Sequence, residues 1–331
     1  MRPTALDWLA CTRCGASLAL SPGATRSGGD DHIEDGALAC TGCAARFAIQ
    51  GGVPRLTPAL AALDVDPTAT ATAERFGVQW QMFADRSRRY ERQLCDWLAP
   101  LTPADFDGRA VLEGGCGKGR HTALVAAWGA RAVVALDLGD AVDVAFAATR
   151  HLPAVHVVQG DLTRPPVRAG FDLGFSVGVL HHLPEPAAGF HALCDRIRPG
   201  GRVAIWVYGR ESNEWIVRWV DPLRRTLTAR MPERALYWAS LPPSALLAAA
   251  LRAYRDADRA ARLPYGSYLH YISRFPLREI HNIVFDQLVT PIAHYLSEAE
   301  VRAWFSARDD VVEVEVSWHN RNSWRATARR A

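Results

Sequence analysis

The chain has 331 residues, of which 49% are hydrophobic and 22% charged, with a formal net charge of +3. This balance is typical of a soluble globular protein and excludes a collagen-like, mucin-like or broadly disordered chain. Only one of the 38 basic residues, Lys118, is a lysine, and +3 is far below the charge of a dedicated nucleic-acid binder. The first ten residues lack the apolar run of a signal peptide, and residues 241–251 are too short to span a bilayer. We therefore expect a cytoplasmic protein with no membrane partner.

Two CxxC pairs stand near the start of the chain, Cys11 with Cys14 and Cys40 with Cys43. In a reducing compartment, paired cysteines indicate a metal before a disulfide. Four thiolates complete the tetrahedral coordination of Zn²⁺ and leave no open position, so the predicted site is structural. Residues 1–58 are therefore predicted to form a zinc ribbon, with the polar stretch between the two pairs at a hairpin tip.

Residues 59–108 are predicted to be a linker and N-terminal helices, and residues 109–331 alternate short apolar runs with helical periodicity. The predicted strands cover 109–112, 132–136, 155–158, 171–176 and 201–207, and the predicted helices cover 120–128, 142–150 and 187–197. This order predicts an α/β fold with a parallel sheet covered on both faces. Two further runs, 311–317 and 323–328, predict a C-terminal antiparallel hairpin. Ser297 and Glu300 form a capping box for the helix before it.

Residues 210–275 interrupt this alternation and predict a helical insertion on the substrate side of the sheet. Asp221 predicts one helix start, and Ser244 predicts the cap of another helix. Residues 210–262 contain ten arginines and six acidic residues, a net charge of +4. This excess of arginine favours an anionic acceptor near the insertion.

A glycine-rich turn follows the first predicted strand of the large domain. Gly115, Gly117 and Gly119 let the backbone approach a ligand and direct helix N–H groups at its charged end. Glu113 precedes these glycines. A carboxylate there would repel a pyrophosphate, but it favours the amino group of a methionine moiety.

Two more acidic residues follow the next two strands. Asp137 stands 24 residues after Glu113, an offset that suits a contact with ribose hydroxyls. Asp161 follows the third strand and is placed to accept a hydrogen bond from an adenine amino group. Each acid alone is compatible with a solvated strand end, but three at successive strand ends indicate a nucleoside site.

Residues 109–208 carry the segments VLEGGCGKGRHT, VVALDLGDAV, QGDLTRPP, FDLGFSVGVLHHLPEP and RPGGRVAIWVYG. This series resembles the class I S-adenosylmethionine-dependent methyltransferases. The resemblance implies a Rossmann-like seven-stranded sheet that binds S-adenosylmethionine. It also implies that Glu113 and the three glycines meet the methionine part of the cofactor. For the rest of the cofactor it implies contacts with Asp137, Leu138, Asp161, Leu162, Ser176 and Val177.

Residues 6–58 resemble a second family, the zinc-ribbon activator of tRNA, rRNA and protein methyltransferases. The two CxxC pairs and the segments Phe47-Ala48-Ile49 and Gly52-Val53-Pro54 carry this resemblance. It implies a structural Zn²⁺. The ribbon is expected either to pack on the large domain or to mediate a homodimer.

Methyl transfer is an in-line displacement, and an oxygen or nitrogen acceptor can need a base. His181, directly after the fourth strand, is the preferred base. Asp286, His294 and Tyr295 are expected to meet the acceptor if the inserted helices fold back, with Asp286 orienting His181 or binding the acceptor. Packing is the alternative role for each residue. The segment 76–80 is expected to cap the cofactor.

These observations favour a methyltransferase that acts on a small molecule. A second hypothesis is an rRNA or tRNA methyltransferase that binds RNA through the ribbon, but residues 1–58 hold five arginines and five acidic residues and so carry no net charge. A third is a non-catalytic partner subunit, which the intact glycine turn disfavours. The sequence leaves open the acceptor, the atom methylated, and whether the cofactor serves a reaction other than methylation.

Overall fold

The computed structural model describes residues 1–26, 32–57, 67–83, 90–263 and 265–331. Its N-terminal part is a small antiparallel sheet. The strands are β1 Leu18–Leu20, β2 Thr25–Arg26, β3 Ile33–Cys40, β4 Arg46–Gln50 and β5 Val53–Pro54. β3 pairs with β1, β2 and β4, and β5 pairs with β4. Three predicted segments fall partly outside the described residues: the polar stretch between the CxxC pairs at 27–31, the end of the ribbon at 58, and the linker and N-terminal helices at 59–66 and 84–89.

The large domain is built on a seven-stranded sheet. Its strands are β6 Ala110–Gly114, β7 Ala132–Asp137, β8 Val155–Gln159, β9 Phe171–Val177, β10 Ile197–Tyr208, β11 Val311–His319 and β12 Ser323–Arg330. They lie in the order β11-β12-β10-β9-β6-β7-β8. Neighbours from β10 to β8 run parallel, whereas β12 pairs antiparallel with both β10 and β11. The predicted parallel sheet and its C-terminal antiparallel hairpin are confirmed.

Helices cover both faces of this sheet. They are α1 Pro67–Met82, α2 Tyr90–Leu98, α3 Arg120–Ala127, α4 Ala141–Thr149, α5 Pro186–Arg196 and α11 Glu298–Ser306. Successive strand residues point to opposite faces. Leu112 and Val134 therefore belong to one buried cluster, and their neighbours Val111 and Val133 belong to the other. The predicted Ser297–Glu300 capping box starts α11.

The ribbon packs directly on the edge of the large sheet. The Leu56 N–H donates to the carbonyl of Gln159, at the end of edge strand β8, with an N···O distance of 2.8 Å. Arg55 pairs with Asp143 of α4 at 2.5 Å. Leu38 of the ribbon belongs to the same buried cluster as the core of the large sheet. The two parts therefore share one hydrophobic core.

Between β10 and α11 the chain forms a helical insertion. Its helices are α6 Asp221–Thr226, α7 Glu233–Ala250, α8 Ala257–Ala261, α9 Gly266–Ile272 and α10 Leu277–Val289. Phe285 and Val289 of α10 are buried against Leu236 of α7. The insertion therefore continues to Val289, beyond the predicted end at residue 275. No helix in the described ranges combines the length and the apolarity needed to cross a membrane.

Helix α6 begins at Asp221 as predicted, but neither Asp221 nor Ser244 caps a helix, and no helix begins at Ser244. Asp221 has helical backbone angles and follows a π-helical turn, and its carboxylate pairs with Arg224 and Arg225 instead of capping the helix. Ser244 lies inside α7, where its hydroxyl donates to the Ser240 carbonyl. Both polar side chains have local partners that satisfy them within a continuing helix.

Candidate functional site

The four cysteines of the CxxC pairs converge at one end of the ribbon. Their Sγ atoms all lie within 4.8 Å of one another, with 3.8 Å between Cys11 and Cys43 and 3.4 Å between Cys14 and Cys40. A sulfur tetrahedron around Zn²⁺, with Zn–S bonds of about 2.3 Å, has edges of about 3.8 Å. The Gly42 N–H also points at the Cys40 sulfur, at 3.3 Å. The donor set and its spacing fit a structural Zn²⁺.

A cavity of about 980 Å³ lies at the carboxyl edge of the parallel strands. Ligands of open α/β sheets bind at this edge. Side chains of α1, including Phe76 and Trp80, form part of its wall, as do residues of α9 and α10. Seven of the ten predicted cofactor residues line the cavity: Gly115, Gly117, Asp137, Leu138, Asp161, Leu162 and Val177.

The glycine turn has no room for side chains. A Cβ on Gly115 would lie 2.2 Å from a methyl carbon of Val179, and a Cβ on Gly117 would lie 2.9 Å from the indole nitrogen of Trp80. Both glycines have positive φ, +82° and +50°. Lys118 donates to the Phe83 carbonyl at 2.6 Å and so ties this turn to the end of α1. Segment 76–80, which is expected to cap the cofactor, lies in α1 and contributes Phe76 and Trp80 to the cavity wall.

Asp137 and Asp161 are held rigidly at their strand ends. Asp137 accepts hydrogen bonds from the N–H groups of Gly117 and Gly139, at 2.8 Å and 3.0 Å. Burial raises the pKa of the Asp137 carboxyl, while these two donors stabilise its ionised form. Asp161 accepts from both the N–H and the hydroxyl of Thr163, each at 2.8 Å. Each carboxylate keeps lone pairs available for a ligand.

Glu113 lies beneath the glycine turn and is almost fully buried. The Thr122 hydroxyl donates to its Oε2 at 2.5 Å, and its Oε1 has no hydrogen-bond partner among the described residues. The nearest cationic candidate, Nδ1 of His121, is 3.9 Å from Oε1. Burial raises the pKa of Glu113 to about 8. An unpartnered buried carboxylate oxygen is costly, so it fits a ligand ammonium that completes its hydrogen bonding.

Ser176 and Gly119, the other two predicted cofactor residues outside the cavity lining, support the site from below. The Ser176 hydroxyl donates to the Gly114 carbonyl at 2.9 Å. A Cβ on Gly119 would lie 3.0 Å from the Cα of Ala145, so this glycine lets α3 approach α4.

A hydrogen-bonded chain of side chains stands at the other end of the cavity. The Tyr295 hydroxyl donates to Oε1 of Gln287 at 3.0 Å, and the Gln287 amide donates to the Tyr208 hydroxyl at 3.0 Å. Tyr208 in turn donates to Oδ2 of Asp286 at 3.1 Å, and Gln79 of α1 donates to Oδ1 of Asp286 at 3.2 Å. Every donor in this chain points towards the Asp286 carboxylate. Burial raises the pKa of Asp286.

Asp286 and Tyr295 lie in the cavity wall, whereas His181 and His294 do not line it. The His181 ring is fully buried and packs against Tyr208, with ring centroids 3.9 Å apart. Its Nδ1 accepts from the Tyr208 N–H, and no group in the part of the chain that the structure describes bonds to its Nε2. Burial holds the pKa of His181 well below its usual range. Asp286 does not orient His181, because neither nitrogen of the His181 ring forms a hydrogen bond with this carboxylate.

The neighbouring histidine, His182, does line the cavity. Its Nδ1 donates to the Ile292 carbonyl at 2.6 Å, and burial lowers its pKa to about 3. The side chain that follows the fourth parallel strand and meets the cavity is therefore His182, one residue beyond the predicted base.

The lining of the acceptor half combines aromatic side chains with charged ones, which include Arg92, Asp96 and Arg120. Tyr268 and Tyr271 of α9 contribute to it, with Phe275 and Trp97. None of the ten arginines of residues 210–262 is among the described lining residues. The arginines of the insertion therefore do not line the cavity, and an anionic acceptor stays a prediction.

Gln79 and Tyr208 belong to the polar chain, although no sequence pattern predicts this. Gln79 and Asp286 are 207 positions apart, so no local pattern connects them. The signal that could have indicated Tyr208 is its position at the end of β10. Tyr268 and Tyr271 lie on a short helix whose composition resembles that of ordinary packed helices.

Comparisons with known proteins give matches in the same region. A family model described as a methyltransferase domain matches residues 112–205. The tRNA U34 carboxymethyltransferase of Azotobacter vinelandii is 32% identical over 149 residues, 44% of this chain and 44% of that protein. The trans-aconitate 2-methyltransferase of Azoarcus sp. is 33% identical over 176 residues, 50% of this chain and 67% of that protein.

Among solved structures, the magnesium protoporphyrin IX methyltransferase of Synechocystis with bound SAH is similar, with a TM-score of 0.47 at 13% identity. The match covers 77% of this chain and 94% of that one. The chain spans less than half the length of the tRNA carboxymethyltransferases that it matches.

Proposed function

Because the chain belongs to the S-adenosylmethionine-dependent methyltransferases, we propose that it transfers a methyl group from S-adenosylmethionine to a small-molecule acceptor. One observation carries this proposal. A single cavity of about 980 Å³ runs from the glycine turn to the Tyr208–Asp286 chain. This volume is at the upper end of the range for ligand pockets, about 300–1,000 Å³, and suits a cofactor together with a small acceptor.

In this proposal the strand ends hold the cofactor. Asp137 accepts hydrogen bonds from the ribose hydroxyls, and Asp161 and Leu162 contact the adenine. Oε1 of Glu113 accepts from the methionine ammonium, directly or through water, which gives this oxygen the partner that it lacks. The bound cofactor supplies an electrophilic methyl group on a sulfonium.

The polar chain at the other end of the cavity orients the acceptor. The ionised Asp286 carboxylate holds the hydroxyl of Tyr208 in place and takes the proton that the attacking oxygen or nitrogen loses. Aromatic side chains from α9 exclude water around this point, which aligns the acceptor and strengthens its polar contacts. The raised pKa of Asp286 brings this base closer to neutral pH, where general bases are most effective.

A tRNA or rRNA acceptor is the second candidate, and the matched tRNA U34 carboxymethyltransferases favour it. Against it, the ribbon carries no net charge and the cavity is walled by α1 and the inserted helices. Retention on immobilised tRNA, measured against salt concentration, separates the two candidates. Salt-dependent retention at physiological ionic strength would favour RNA.

The proposal is tested by a mass-shift screen. The protein is incubated with S-adenosylmethionine and a panel of small hydroxy, amino and carboxylic acids, and products heavier by one methyl substitution are sought. Asp286→Asn should abolish product formation, whereas Glu298→Gln, on the exposed side of α11, should not. Methylated tRNA with no methylated small molecule would overturn the proposal. Absence of cofactor binding would instead support a non-catalytic subunit.

A further inference from the structure

The insertion exposes an unusual amount of large apolar surface. Among the described residues, eight of the nine exposed large hydrophobic side chains lie between residues 215 and 277. Four of them recur at intervals of four, three along one helical run and the fourth at its C-cap: Trp215, Trp219, Leu223 and Leu227, which are 52%, 67%, 47% and 54% exposed. We refer to these four residues as the exposed stripe. A helix with this spacing presents one apolar face, and here that face meets solvent.

Positive charge accompanies the exposed stripe. Arg218, Arg225 and Arg230 are exposed on the same segment. The guanidinium of Arg218 lies 5.3 Å from the ring centroid of Trp219. Asp221, the one acidic residue between Trp215 and Leu227, is buried and paired with arginines. The face is therefore apolar and cationic together.

The exposed stripe also borders the cavity. Trp215 and Leu223 are both half exposed and both line the cavity, as do Ile216 and Val220 between them. Leu247 of α7 lines the same region. The acceptor half of the cavity therefore opens beside apolar side chains that water contacts directly.

We infer that the exposed stripe docks on the surface of an anionic lipid bilayer. Helices that lie in the interface combine tryptophan and leucine on one face with arginine beside them, and anionic lipid attracts each arginine. Docking would place the cavity mouth against the lipid. It would admit an amphipathic acceptor whose polar end reaches the Tyr208–Asp286 chain and whose apolar part extends towards the bilayer. This second step rests on the proposed function, but the docking itself does not.

Two other occupants fit the exposed stripe less well. A second copy of the chain, packed on the exposed stripe about a two-fold axis, would bring Arg218 and Arg225 of one copy close to the arginines of the other. RNA would satisfy the arginines, but it would leave Leu223 and Leu227 in contact with a polar polymer. An anionic bilayer satisfies both the charges and the aliphatic side chains.

Vesicle flotation tests the inference on the full chain. Vesicles of phosphatidylcholine alone are compared with vesicles containing phosphatidylglycerol at low and high salt. We expect binding only to the anionic vesicles. Arg218→Gln with Arg230→Gln should weaken it on the order of 25-fold, since each arginine near an anionic surface contributes about 5-fold. Trp219→Ser with Leu227→Ser should weaken it at both salt concentrations.

The matched controls are Val314→Ser and Arg109→Gln. Val314 is an exposed apolar residue on β11, and Arg109 is an exposed arginine directly before β6. Both should bind vesicles like the wild type. Three results would overturn the inference: no flotation with anionic vesicles, flotation unchanged by the stripe variants, or a dimer in light scattering that the Trp219 and Leu227 substitutions dissociate. Binding of S-adenosylmethionine, measured in the same samples, reports separately on the proposed function.

Discussion

The substitution Glu113→Gln should stabilise the ligand-free protein at alkaline pH. Glu113 has a pKa of about 8 in the folded state, against 4.5 for an ordinary glutamate, because burial disfavours the carboxylate. The folded state therefore keeps a proton that the unfolded state has already lost, and stability falls as pH rises from about 4.5 towards 8. The full difference is worth roughly 5 kcal/mol, of which about 4 kcal/mol is reached at pH 8. Glutamine removes this ionisation and can still accept from Thr122.

Urea unfolding between pH 5 and pH 9 measures the effect. The free energy of unfolding of the variant minus that of the wild type should rise with pH by about 3–4 kcal/mol and level off above pH 8. Taking this difference cancels the contributions of other buried groups such as Asp137 and Asp286. Glu74→Gln, on the exposed surface of α1, is the control and should give a flat difference. A flat difference for Glu113→Gln as well would refute the assignment of a protonated Glu113.

Three further predictions concern the metal, the acceptor and the buried histidine. Cys40→Ser with Cys43→Ser should abolish zinc in metal analysis and lower the Tm of the whole chain, because ribbon and sheet share one core, whereas Cys95→Ser should keep the metal. Asp286→Asn should lower turnover by about 100-fold or more with cofactor affinity unchanged. The wild type should lose activity as pH falls through the raised pKa of Asp286, and the variant should not show this loss. His181→Ala should lower the free energy of unfolding by about 2–4 kcal/mol, since it empties a fully buried site. It should also leave the shape of the pH–rate profile intact, and a lost limb of that profile would identify His181 as the base.

The sheet could be predicted because each buried strand is a run of consecutive apolar residues. Each parallel strand predicted from an apolar run is present, and the largest shift is at β10, which begins at Ile197 rather than Gly201. A register shift between Ile197 and Arg202 explains this difference, since the irregular segment hides the start of the strand. The metal site could also be predicted, because the two short CxxC motifs contain all four of its ligands.

The acceptor side was less predictable, because its residues meet only through tertiary packing. Pro242 and Pro243 lie inside α7, where sequence patterns predict a helix end. His181 and His182 are adjacent and chemically identical, and only the packing of Tyr208 decides which of them reaches the cavity. The pairing of Gln79 with Asp286 depends on how α1 crosses α10, which neither segment encodes locally.

Calorimetric titration with S-adenosylhomocysteine tests directly whether the cavity binds the cofactor. We expect one molecule of S-adenosylhomocysteine to bind per chain. Asp137→Ala should weaken binding on the order of 100-fold, since two hydrogen bonds to a charged group contribute about 1.5 kcal/mol each. Asp140→Ala, three residues away and outside the cavity lining, should bind like the wild type. A folded wild-type protein that binds no ligand, or an Asp137→Ala variant that binds equally well, would contradict the account.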